Sequence, residues 1–74
     1  MSALIQECRA VRSLPRPALA REIRRAAGVS QRRLAEELGV HWTTVARWER
    51  EERKPRGRLL VAYAELLTQL RDVA

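Results

Sequence analysis

The sequence predicts an all-α fold, a compact bundle of five helices, and three observations predict it. Ala, Leu, Arg and Glu, all good helix formers, dominate the 74 residues. No stretch alternates apolar and polar residues between turn signals in the manner of a strand. Proline, glycine and serine divide the chain into five segments of helical periodicity.

Ser2 is placed to cap a first helix reaching about Arg12. Its Leu4, Cys8 and Val11 follow the i, i+4, i+7 spacing of one apolar face, so that face, Cys8 included, is expected to be buried. "SLPRP" stops the helix, because each proline lacks an N–H and disfavours helix in the residue before it. Pro17 suits the first position of a second helix, Pro17 to Ala27, which turns Leu19, Ile23 and Ala26 or Ala27 inward. Gly28 closes it. Ser30 caps a third helix, Gln31 to Leu38, with Leu34, Ala35 and Leu38 facing the core. Gly39 ends that helix in the left-handed conformation. About three residues later a fourth helix begins near His41 or Trp42 and runs to about Arg50. The charged loop "EERKPRG" leads to a last helix, about Arg58 to Asp72, with a buried stripe of Leu60, Tyr63, Ala64, Leu67 and Leu70. "GVSQ" and "GVHW" recur eleven residues apart; they mark two consecutive helix starts, not a repeat architecture.

Size limits what such a chain can be. Residues 1–74 are expected to form a single domain that buries only about 60% of the surface its unfolded state exposes. Cys8 is the one cysteine, so neither an intrachain disulfide nor a zinc set with His41 is expected, and stability must come from helix packing or self-association. Charge is more telling. Lys and Arg number 15 against 9 Asp and Glu, a balance that suits a polyanionic partner. All those cations but Lys54 are arginines, which fit either bidentate phosphate and guanine contacts or a GC-rich coding sequence. No run approaches the roughly 18 apolar residues of a membrane span, and no signal peptide is evident. A cytoplasmic protein is expected, with no membrane partner.

Helices three and four carry the functional signal. A short helix, Gly39, a tight turn and a second amphipathic helix make a helix-turn-helix over residues 31–50, the unit that sets its second helix in the DNA major groove. Ala35 lies one turn before Gly39, where close crossing requires a small side chain. Val45 and Trp48 share one face of the fourth helix, so Trp48 is assigned to the core. Thr43, Ala46, Arg47 and Arg50 are assigned to the other face. Trp42 falls between the faces and meets either DNA or protein, its own or a second subunit's.

The run "IRRAAGVSQRRLAEELGVHWTTVARWERE", continuing through "RKPRG" to "YAELL", resembles the Cro/phage-repressor-like helix-turn-helix proteins, the XRE family. Its most specific elements are SQ-x-x-LA-x-x-LGV and TV-x-RWE. The flanking "LPRP" and "PRG…Y…LL" resemble small regulators of actinobacteria and their phages. The resemblance implies a lambda-repressor-like bundle in which residues 1–13 are an extra N-terminal helix. It implies base contacts from Trp42, Thr43 and Arg47, with the recognition helix at 42–50. Backbone contacts are implied for Gln31, Arg50, Arg53 and Arg56, and His41 and Thr44 at the start of the recognition helix join them. Arg24 and Glu49 match a pair that ties the first family helix to the recognition helix. The family carries Gly after "WER"; here Glu51 and Glu52 follow, so the helix is expected to run on by a turn, and these carboxylates to pair with Arg53 or Lys54.

The chemistry suits those roles. Arg47 can bond bidentately to guanine, Thr43 offers a hydroxyl and a methyl, and Trp42 an indole N–H and an apolar face. A helix start such as that at Gln31 favours a phosphate. The expected partner is double-stranded operator DNA, an inverted repeat read by a homodimer, with protein level setting the control as in a Cro-type switch. An architectural, excisionase-type DNA binder and an antitoxin-like protein-interaction module are the alternatives. No nucleophile or oriented partner accompanies His41, so no enzyme is expected, nor any metal, cofactor or small-molecule ligand. Glu36 and Glu37 read as solvated surface, and Arg9, Arg12 and Arg16 as either a solvated face or one more phosphate-binding strip.

Overall fold

The computed structural model describes residues 2–73. Among them lie five helices, α1 (Ala3–Ser13), α2 (Pro17–Ala26), α3 (Gln31–Leu38), α4 (Trp42–Glu49) and α5 (Gly57–Val73). The fold is all-α. Its radius of gyration, 11.4 Å, matches the ~11 Å of a compact chain of this length. No helix among the described residues is long and apolar enough to cross a membrane.

Local chemistry sets the helix starts. Ser2 Oγ accepts the Ile5 N–H and Ser30 Oγ the Arg33 N–H, each satisfying a donor that the first turn leaves unpaired. Pro17 opens α2 without any side-chain cap. The ends of α2, α3 and α4 repeat one arrangement. A residue with positive φ bonds its N–H three residues back, and the next residue bonds five back: Gly28 to Arg25 and Val29 to Arg24, Gly39 to Glu36 and Val40 to Ala35, Glu51 to Trp48 and Glu52 to Arg47. This is the Schellman closure, which satisfies carbonyls that the last turn would otherwise leave open. The recurrence of Gly-Val before Ser30 and before His41 is thereby explained. In each case glycine stops one helix, valine folds back on the core, and the next residue caps the following helix.

The main core joins α2, α3, α4 and α5 through Ala20, Ile23, Leu34, Ala35, Val45, Trp48, Tyr63 and Leu67. Trp48 and Tyr63 lie with ring centroids 4.7 Å apart at an interplanar angle of 39°, a tilted contact favourable for two aromatic rings. Ala35 is only 1% exposed, and its small side chain lets α3 and α4 approach. Trp48 is buried, as its position on the helix predicted.

Several inward assignments are corrected. Leu19 is 44% exposed and Ala20 takes its place in the core. Ala26 is exposed and Ala27 half-buried, so α2 presents a narrower face than its sequence suggested. Ala46 is buried, not on the outer face of α4. At 100° per residue it lies beside Glu49 and Val45, both on the inner side. The largest correction concerns α1. It docks on α5 through Ala10, against Leu60 and Ala64, because small side chains allow the closest approach. Leu4 and Cys8 therefore point away from the bundle, Val11 lies at the rim of a concavity with Leu14 and Leu60, largely exposed, and Cys8 is exposed rather than buried.

Candidate nucleic-acid interface

A buried ionic network fixes α4 in place. Arg24 donates from Nε to Glu49 Oε2 at 2.6 Å and from Nη2 to Oε1 at 3.0 Å, while its Nη1 donates to the Val29 carbonyl at 2.8 Å. Gln31 Nε2 donates to the same Oε1 at 3.0 Å. The Arg24 and Glu49 side chains are 9% and 2% exposed. Glu49 is the last residue of α4, where the helix dipole disfavours negative charge. Three donors from two other helices offset that cost, and they make the orientation of α4 depend on α2 and α3 together. The same charge reaches Tyr63. Burial, reinforced by the Glu49 carboxylate and opposed by Arg24, pushes the Tyr63 hydroxyl up to about 12, so it remains a neutral phenol throughout the physiological range.

The sequence-assigned contact residues fall into two groups around α4. Gln31 and Trp42 line a notch of about 260 Å³ with Ser30 and Arg32. Thr44, Arg47, Arg53 and Arg56 line a second concavity of about 870 Å³ between α4 and the loop before α5. His41 and Thr43 stand at the start of α4. The Thr43 N–H donates to His41 Nδ1 at 3.3 Å, and Thr43 Oγ1 lies 2.9 Å from the same nitrogen. A neutral ring that caps this way carries its proton on Nε2, a donor suited to a phosphate oxygen. Arg50 stands apart, bonded to Glu52 from Nε at 2.7 Å and Nη2 at 3.3 Å. Both side chains of that pair are more than half exposed, so the pair is weak and easily exchanged for a phosphate.

Two expectations are overturned here. α4 does not run on past Arg50. It stops at Glu49, and Glu51 adopts φ 63°, the conformation that favours glycine. The carboxylate of Glu52 pairs with Arg50, not with Arg53 or Lys54.

Two features had no signal in the sequence. The Arg32 guanidinium lies 5.3 Å from the centre of the Trp42 ring, a cation–π contact that holds this arginine at the notch. Trp42 itself is half-buried and packs on the core cluster. The bond from Gln31 to Glu49 likewise depends on how α3 crosses α4, which no spacing within one helix reveals. Around the notch, the Gln31 and Arg32 N–H groups have no partner within the helix, and they complete a surface rich in donors and cations.

A short helix closed by glycine, a tight turn and a second helix whose outer side carries Thr43, Thr44 and Arg47, with Arg50 just past its end, define a helix-turn-helix DNA-binding domain. A family model described as helix-turn-helix matches residues 21–68, and the chain belongs to that family, of the Cro/XRE-like type. Comparison with curated proteins and with solved structures gave no match.

Proposed function

We propose that the protein is a small transcription regulator that binds operator DNA sequence-specifically, as a homodimer on an inverted repeat. α4 enters the major groove, and the domain acts at the nucleoid, or in the host cytoplasm if phage-encoded. The observation that carries this reading is the division of α4 into two sides. Val45, Ala46, Trp48 and the Glu49 carboxylate are buried, while Arg47 is exposed on the opposite side with Thr43 and Thr44 flanking it, half-buried. A helix locked from behind and donor-rich in front can place side chains against base edges.

Within this reading Arg47 bonds guanine, and Thr43 contacts an adjacent base through its hydroxyl or methyl. Trp42 adds its exposed edge to the base contacts and holds Arg32 beside them. Gln31 contributes through the start of α3, since its side-chain amide already serves Glu49. His41, Thr44, Arg50, Arg53 and Arg56 follow the phosphate backbone. Dimerisation follows from the few bases one such helix can reach; two of them about 34 Å apart read an inverted repeat.

The test is Arg47→Ala assayed on preferred and random duplexes. The expected result is a loss of about 1–3 kcal/mol confined to one base position of the preferred site. Equal loss on both duplexes would make Arg47 a phosphate contact and favour an architectural binder.

A further inference from the structure

We infer that the outward face of α1 is the surface on which a second copy of this chain docks, the two α1 helices running parallel with Cys8 opposite Cys8. The inference rests on the homodimer reading above and names the interface that reading lacks. Five large apolar side chains stand out as exposed among the described residues, and three of them, Leu4 at 68%, Ile5 at 44% and Val11 at 64%, lie on α1. α5 contributes only Val73, its last residue. The free surface is therefore on the first helix.

The face has the pattern of a helix-pairing seam. Leu4, Cys8 and Val11 are spaced four and three residues apart, as the inner positions of two-stranded coils are. Cys8 and Leu4 are turned away from the side on which Ala10 meets α5, and Val11, at the rim of a concavity shared with Leu14 and Leu60, stays 64% exposed. Charge specifies both the occupant and the direction. Glu7 lies on one flank of the stripe and Arg12 on the other, five positions apart, the offset at which parallel helices pair charges across an interface. A two-fold axis running along the helices brings Glu7 of each copy to Arg12 of the other, twice. An antiparallel pair would instead set each flank against its own copy, Glu7 beside Glu7. The surface is self-complementary in one arrangement, as an isologous dimer requires. Its apolar part is one stripe of three side chains, few beside the roughly 20–30 residues a side of stable interfaces, so pairing depends on protein concentration and strengthens when DNA holds two copies together.

The test uses the full chain without DNA at about 0.15 M salt, where repulsion between the basic domains is screened. Sedimentation over rising concentration is combined with a short thiol-to-thiol crosslinker. The expected results are a mass that moves from monomer to dimer and a covalent dimer abolished by Cys8→Ser. Val11→Glu should remain monomeric with unchanged helicity. Glu7→Arg and Arg12→Glu should each lose most of the crosslink alone and recover it when mixed. A mass fixed at monomer at every concentration overturns the inference, as does a dimer that survives Val11→Glu and gives no Cys8 crosslink. Binding of a random-sequence duplex by the same variants keeps the two readings apart. Loss of duplex binding with pairing intact would remove the DNA reading and leave the interface standing.

Discussion

The helices of the helix-turn-helix end in the same way with very different residues. At the end of α3, Gly39 takes φ 72° and Val40 turns back onto the core. At the end of α4, Glu51 takes φ 63° and Glu52 lies exposed. The backbone hydrogen bonds correspond one for one. What differs is their support. Gly39 adopts its conformation at little cost, and an apolar residue seals the turn. Glu51 carries a side chain into a conformation that disfavours one by roughly 1–2 kcal/mol, with no apolar seal. α4 nonetheless stops at Glu49, whose carboxylate is held by Arg24 and Gln31. A residue suited to its conformation closes α3, whereas α4 closes against local preference where tertiary bonds hold its last residue.

The comparison breaks most severely if that anchor is removed. Glu49→Ala leaves the Arg24 guanidinium buried without its partner, a loss of about 3–5 kcal/mol. A chain of this length has roughly 4–11 kcal/mol in total, so urea titration should find the variant stripped of at least about a quarter of its stability. Replacing Arg24 and Glu49 together with apolar residues of similar volume should recover much of the loss, which separates an unpaired charge from a mere change of packing.

The two turns themselves are expected to respond with opposite signs. Gly39→Ala places a Cβ at positive φ with no steric neighbour within 4 Å, so its cost is conformational alone, about 1–2 kcal/mol. Glu51→Gly relieves the same strain but adds the backbone freedom of glycine to the unfolded chain, for a net gain of at most ~1 kcal/mol. Thermal unfolding resolves both, since each kcal/mol moves the midpoint by about 4–8 °C in a domain of this size. Equal responses at the two sites would refute the contrast.

Alkali probes the anchored end without any substitution. Tyr63 is held protonated in the fold up to about pH 12, against about 10 when unfolded. The unfolded chain thus releases its proton first, and stability should fall as pH rises from 10 toward 12. Tyr63→Phe should flatten that decline, and an unchanged slope would mean the Glu49 charge and burial do not act on Tyr63.

The sequence made most of the helix boundaries legible, because Ser2, Ser30, Gly28 and Gly39 act within a turn of themselves. The span Gln31–Leu38 was readable to the residue for that reason. The faces of α1 and α2 were not. Periodicity shows that Leu4, Cys8 and Val11 share a side, but it does not show whether α5 receives them or receives Ala10. The end of α4 is not legible for a related reason: Glu51 carries no local signal for positive φ, and the bonds that hold Glu49 come from Arg24, 25 positions away in sequence. Of the candidate interface, the arginines and threonines of α4 could be assigned from the helix alone. The Arg32–Trp42 contact required knowing how two helices cross.

The measurement that tests the central reading most directly is selection of bound duplexes from a random pool at about 0.15 M salt, where purely phosphate-driven binding is weakened. A regulator that presents Thr43 and Arg47 from a locked α4 should enrich an inverted repeat with half-sites about one helical turn apart. Binding that enriches no sequence and simply fades as salt rises would contradict it.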